Sequence, residues 1–200
     1  MCKVAVIWAY TGSRFAAVGS PQLSTRIAPR PITTDSQRSD RWDHHMNNPF
    51  MERAIQLSIE GVRSGHGGPF GAVIVKDGKI LAEGANQVTS TNDPTAHAEV
   101  LAIRRACEKL GVFELKDCEI YTSCEPCPMC LGAIYWARLA RIYFANTAND
   151  AAKFGFDDSF IYSELSTPHS GRRIPTVQMM RDEALAGLRA WSDRPDKIPY

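Results

Sequence analysis

The chain is 200 residues long with 44% hydrophobic and 22% charged side chains, which suits one domain with a sizeable core. No apolar run approaches the ~20 residues needed to span a membrane as a helix. The formal net charge of +1 divides into +3 over residues 1–45 (six basic, three acidic) and −2 over 46–200 (17 basic, 19 acidic). That balance argues against a polynucleotide-binding surface on the larger part.

Residues 1–45 stand apart. No acidic residue precedes Asp35, whereas Lys3, Arg14, Arg26 and Arg30 are basic. Ser, Thr, Pro and Arg dominate 11–41, which is poor material for a core. The apolar run 4–10 is short for a signal peptide, and no small-residue cleavage site follows it. The composition fits an organelle-targeting segment or an extension upstream of a start at Met46. The expectation is a disordered or misannotated extension over 1–45 and one folded domain over 46–200.

The remainder alternates helix and strand. Residues 50–64 place Ala54, Ile55, Ile59 and Val62 on a helix face. Two strands, 70–75 and 79–84, flank the turn signal Asp77-Gly78 and predict a hairpin. A helical pattern runs over 96–110 after Pro94-Thr95, a strand over 118–122, and a second helix over 129–139. A strand over 141–145 and a short helix over 148–154 follow. A fifth strand is expected over 174–180 and a terminal helix over 182–191. This order predicts an α/β fold: a central mixed five-stranded sheet covered by helices on both faces.

Two short pieces carry the chemistry, His97-Ala98-Glu99 and Pro126-Cys127-Pro128-Met129-Cys130, with 29 residues between His97 and Cys127. One imidazole and two thiolates suit zinc, and three protein ligands leave a tetrahedral ion one open position for water. Two thiolates cancel the metal's charge, so its water is less acidic than in a three-histidine site, where the value is about 7. A nearby carboxylate, Glu99, is then useful as a proton carrier. Residues at i and i+2 do not share a mid-helix face. His97 and Glu99 converge only if the metal lies off the start of the helix. Pro126 and Pro128 suit a turn into the second helix, whose positive N-terminal end favours thiolates at Cys127 and Cys130. The expected geometry is two helix openings aimed at one ion.

The stretch 46–200 resembles the bacterial guanine deaminases of the cytidine-deaminase-like superfamily. The pattern H-x-E…P-C-x-x-C marks zinc nucleobase deaminases in general. The narrower resemblance rests on Gly67-Gly68-Pro69-Phe70-Gly71-Ala72-Val73, Asn92-Asp93-Pro94-Thr95-Ala96-His97-Ala98-Glu99-Val100, and Thr122-Ser123-Cys124-Glu125-Pro126-Cys127-Pro128-Met129-Cys130 with the following Leu131 to Arg138. It extends to Gly155-Phe156-Asp157-Asp158-Ser159-Phe160-Ile161-Tyr162 and the C-terminal Tyr200. The resemblance implies the cytidine deaminase-like three-layer αβα fold and one Zn²⁺ per subunit on His97, Cys127 and Cys130. Glu99 would shuttle protons in hydrolysis of guanine to xanthine and ammonia. Asn86 would hydrogen-bond the purine, Phe70 and Trp136 would grip its faces, and Asp158 would read its edge and assist proton movement. Tyr200 would close the pocket, usually from the neighbouring subunit of a domain-swapped homodimer. The 45-residue extension departs from the family pattern.

Other readings compete. Cys124-x-x-Cys127-x-x-Cys130 also suits an iron–sulfur run or a closed Cys₃His zinc site, a structural module binding nucleic acid. The fourth coordination position separates them: water for catalysis, Cys124 sulfur for structure. Guanosine and tRNA adenosine deaminases share the metal motif. Six cysteines, several claimed by metal, point to a reducing compartment, so the cytoplasm is expected.

Overall fold

The structure, a computed structural model, describes residues 48–199. The extension expected over 1–45, the start at Met46 and Tyr200 lie outside the described residues.

Helix α1 (Pro49–Arg63) begins at Asn48, whose side chain accepts from the Phe50 and Met51 backbone N–H groups, with Pro49 in the first turn. Its buried face is Ala54, Leu57, Ser58 and Gly61. The expected face was partly wrong: Ile55, Ile59 and Val62 are exposed. Close backbone packing explains the small residues, because a Cβ at Gly71 would lie 2.2 Å from the Ala54 carbonyl oxygen.

Strands β1 (Gly71–Lys76) and β2 (Lys79–Ala85) form the expected hairpin. Asp77 and Gly78 both take positive φ, 49° and 70°, as a two-residue turn of matching twist requires. After β2 come the short α2 (Val88–Thr91), absent from the sequence reading, and α3 (Ala98–Leu110). Then follow β3 (Cys118–Cys124), α4 (Pro128–Trp136) and β4 (Arg141–Asn146). The chain continues through α5 (Ala148–Lys153), α6 (Ser159–Ser166), a 3₁₀ turn (His169–Gly171) and α7 (Arg181–Asp193).

The sheet has order β2-β1-β3-β4, antiparallel except for β3 with β4, which α4 joins as a crossover. Central β1 is buried on both faces, which is why it reads as an unbroken apolar run. Ala72 and Ile74 pack with Ala98, Ala102, Ile103, Ile120 and Ile134 under α3 and α4. Val73, Val75 and Tyr121 pack with Ala54 and Leu57 under α1. The mixed sheet and three layers match expectation; the strand count does not. Four strands are paired, and the fifth, expected over 174–180, is absent from the sheet. That segment has strand composition, but no ladder partner meets it among the described residues, Pro175 lacks an N–H, and Met180 turns to φ 50°.

One contact sets the position of α3. A Cβ at Gly84 of β2 would lie 2.1 Å from the Ala98 carbonyl oxygen and 2.8 Å from the Ala102 nitrogen. Only glycine lets the first turn of α3 press onto the edge strand. Across the other face Arg53 of α1 makes a two-armed ion pair with Glu83 of β2, Nε–Oε1 2.8 Å and Nη2–Oε2 2.7 Å. The Arg53 hydrogen bonds hold the Glu83 carboxyl below its ordinary value, against burial, which raises it.

Two outcomes follow. Gly84→Ala forces the helix off the strand and destabilises by about 1–3 kcal/mol in denaturant titration, as other backbone-level overpacking does. Glu83→Gln lowers stability at neutral pH by less than about 1 kcal/mol, since both partners are about one-third exposed. Because the folded-state value is depressed, the parent's advantage is full above the ordinary carboxylate range and is lost as pH falls through that folded value. Parent and variant Tm therefore converge in acid.

Candidate active site

The carboxyl ends of β2, β3 and β4 and the start of β1 share one edge of the sheet. Both helices that follow open there. His97 is the N-cap of α3 and Cys127 the N-cap of α4, each with extended backbone; the His97 side chain makes no bond to its own helix, and the Cys127 thiol bonds to Cys130 in the first turn of α4. An N-cap side chain usually accepts from the first turn. These two are turned to each other instead. Gln87, just beyond β2, donates its backbone N–H to the Ala96 carbonyl at 3.0 Å and holds the entry to His97 against the sheet.

His97, Cys127 and the fully buried Cys130 bring three donor atoms within 4.8 Å of one another. His97 Nδ1 lies 3.6 Å from Cys127 Sγ and 3.5 Å from Cys130 Sγ. Zinc bonds of about 2.0–2.1 Å to nitrogen and about 2.3 Å to sulfur, tetrahedrally disposed, imply an N···S edge of about 3.6 Å. The residues fit the ion in donor type and in spacing. The hydrogen bond from Cys130 holds the Cys127 thiol down to about 4, against burial, with His97 adding to the effect. The same bond, then burial, pushes Cys130 up, and the bond to Cys127 raises His97. Two helix N-termini favour the negative charge collected here.

Glu99, in the first turn of α3, is 7% exposed. Burial raises its carboxyl above the ordinary range, and the Cys127 charge adds to this. A carboxyl so placed exchanges protons closer to neutrality than a solvated one.

Cys124 takes no part in the trio. Its Sγ donates to the Thr147 carbonyl at 3.7 Å, and burial pushes the thiol up to about 11. The closed Cys₃His and iron–sulfur readings lose their fourth ligand. Among the described residues, His97, Cys127 and Cys130 alone gather as a metal-holding group, and no helix is long and apolar enough to cross a membrane.

The structure also places the other expected residues. Buried Asn86 follows β2, and its Oδ1 accepts from Gly68 N at 3.1 Å and Val88 N at 3.2 Å. Two backbone donors thus orient the carboxamide, leaving Nδ2 as its donor side. Phe70 enters β1, half-buried, and its carbonyl accepts from Asn86 N at 3.0 Å. Asp158 precedes α6 without capping it. Burial, then the Cys127 charge, raises its carboxyl, which puts it in electrostatic reach of the trio. Trp136 stands elsewhere within the chain. It ends α4, nine residues past Cys127 or about 13 Å along the helix. Arg138 lies 5.9 Å from the Trp136 ring centroid, and Trp136 with Val100, Ile103, Phe113 and Ile198 lines a groove of about 650 Å³.

Sequence reasoning assigned no role to the residues that brace the site. Ser123 Oγ accepts from Gly71 N at 3.0 Å, and Glu125 Oε2 accepts from Ala148 N at 2.9 Å. Phe156 packs edge-on against Phe70. Each lies in a quoted motif, but no local pattern reveals partners tens of residues away.

Comparison with known proteins agrees with this geometry. The chain is 58% identical over 151 residues to a guanine deaminase of Bacillus subtilis (strain 168), covering 76% of this chain and 97% of that protein. A crystal structure of guanine deaminase from Bacillus subtilis superimposes with TM-score 0.75 at 58% identity, over 78% of this chain and 99% of that one. A tRNA-specific adenosine deaminase of Agrobacterium fabrum is 43% identical over 97 residues, 48% of this chain and 62% of that protein. Residues 45–146 match the cytidine and deoxycytidylate deaminase zinc-binding region. With three zinc-fitting donors at two helix openings and that match spanning half its length, the chain belongs to the zinc-dependent cytidine and deoxycytidylate deaminase family.

Proposed function

We propose that this protein is a guanine deaminase, hydrolysing guanine to xanthine and ammonia. The observation that carries the chemistry is the buried Glu99 carboxyl beside a three-donor cradle for zinc. The 58% relative named for guanine deamination carries the choice of base.

His97, Cys127 and Cys130 hold the metal. Zinc, when bound, supplies a Lewis acid that makes water nucleophilic near neutral pH. Glu99 takes the proton of the attacking water and gives it to guanine N3, which lets C2 become tetrahedral. It then takes the proton remaining on the oxygen newly bonded to C2 and delivers it to the amino nitrogen; the C2–N bond breaks, ammonia leaves, and the C2 carbonyl of xanthine forms. The oriented Asn86 carboxamide donates from Nδ2 to a purine acceptor. Phe70 lies along the flat face of the base, and Asp158 accepts from its N–H edge. The net −2 over 46–200 favours a free base over a polynucleotide.

Closure belongs to a second copy. Helix α7 buries no residue, and Ile174, Val177, Met179 and Leu188 are exposed along the C-terminal segment. A segment that finds so little cover in its own chain is suited to cross to a partner. It would place the partner's Tyr200 over the site and bring the Trp136 groove into the interface. Free thiols at Cys107, Cys118 and Cys124 suit the reducing cytoplasm.

Three measurements bear on this reading. Purified zinc-loaded protein, offered guanine, guanosine, adenine, cytosine and an adenosine-containing tRNA, releases ammonia from guanine; preference for guanosine or tRNA removes the base assignment. Glu99→Ala keeps one zinc per chain by metal analysis but loses about 10²–10⁴-fold in kcat, the usual contribution of a positioned general acid–base; His97→Ala instead loses the metal. Mixed dimers of Glu99→Ala with Tyr200→Ala recover turnover that neither parent variant shows, because one intact Glu99 then meets the partner's intact Tyr200. Failure to recover it places Tyr200 on its own chain's site.

A further inference from the structure

Phe156 lies in the short connection between α5 and α6, between the left-handed Gly155 (φ 89°) and Asp157. Its backbone N–H donates to the Ala151 carbonyl at 3.1 Å, which ties the connection to α5. Its ring leaves that tie and meets Phe70 edge-to-face, centroids 4.9 Å apart and planes at 87°. The two rings close over Gly68, where an added Cβ would lie 3.3 Å from Phe70 and 3.6 Å from Phe156. A ring 43% exposed buries too little to serve chiefly as core.

The two aspartates beyond it divide their work. Asp157 Oδ1 accepts from Ser159 N at 2.9 Å and starts α6. Asp158 makes no such bond, so its direction depends on how the connection is held. On one side of the ring pair stand Phe70, Gly68 and, through the Gly68 N–H, Asn86. On the Phe156 side, Asp158 follows two residues later in the chain. The pair is where these two walls meet.

We propose that Phe156 is a positioning residue that sets purine affinity: its edge-to-face contact fixes the Phe70 ring and joins the Asp158 connection to the Phe70–Asn86 wall. This rests on the reading of Phe70 as a base-contacting ring. Because the contact joins Phe156 to Phe70 and includes neither Glu99 nor a metal ligand, its loss acts on KM rather than on kcat.

A double-variant cycle on the zinc-loaded full chain tests it. Phe156→Ala raises KM for guanine about 3- to 10-fold, the scale of one aromatic pair, with kcat, zinc content and Tm near the parent values. Phe156→Tyr, which keeps the ring, restores KM, while Phe156→Leu, which keeps apolar bulk without the edge-to-face geometry, does not. With Phe70→Ala already in place, adding Phe156→Ala changes KM no further, since it acts through the ring already removed. Independent, multiplying effects of the two variants overturn the proposal. So does a Phe156→Ala effect on Tm and kcat alone, or full rescue by Phe156→Leu. If Phe70→Ala leaves KM for guanine unchanged while Phe156→Ala raises it, the base-contact reading of Phe70 fails separately, and the route through that ring fails with it.

Discussion

The site depends on one backbone contact, the seating of the first turn of α3 on Gly84 of the edge strand. No side chain fits between that helix and that strand, so the helix start has one place to be. His97, as N-cap, and Glu99, within the first turn, inherit their positions from it. The opening of α4 is set from the other direction, by the β3 end and the crossover to β4. A tetrahedral cation needs its ligands placed within a few tenths of an ångström, and rigid helix ends on a sheet edge provide that better than loops.

Electrostatics then follow from placement. Two thiols and an imidazole crowd together, and the sulfurs compete for one proton, so Cys127 falls and Cys130 rises. A cation resolves that competition by taking both sulfurs as thiolates. The same charge reaches Glu99 and Asp158 and raises both, on top of burial. Both carboxyls thus feel the Cys127 thiolate as well as their own burial.

The apolar surface points outward for a reason of a different kind. Four strands with helices on both faces complete a core by α4 and β4; α5, α6 and α7 add no buried residue to it. The helices of the C-terminal third thus add nothing to the buried core. Ile55, Ile59 and Val62 on α1 are similarly uncovered. Helical periodicity marks them as a core face, but the close approach of the Ala54–Ser58 backbone to Gly71 turns α1 to bury Ala54, Leu57, Ser58 and Gly61 instead.

The sequence by itself determined the chemistry and most of the local structure. Ligand types and spacing announce a three-donor zinc site with a spare carboxylate, and Asp77-Gly78 between two strand-like runs announces the hairpin. These are legible because each depends on neighbours within a few positions. Tertiary structure alone decided the rest: that Cys124 bonds to Thr147 rather than joining the trio, that 174–180 pairs with no strand, that Trp136 stands about two turns from the metal ligands, and that Phe156 leans on Phe70. Each of those depends on partners far along the chain, whose approach is set by how closely backbones pack, and spacing in sequence carries no measure of that distance.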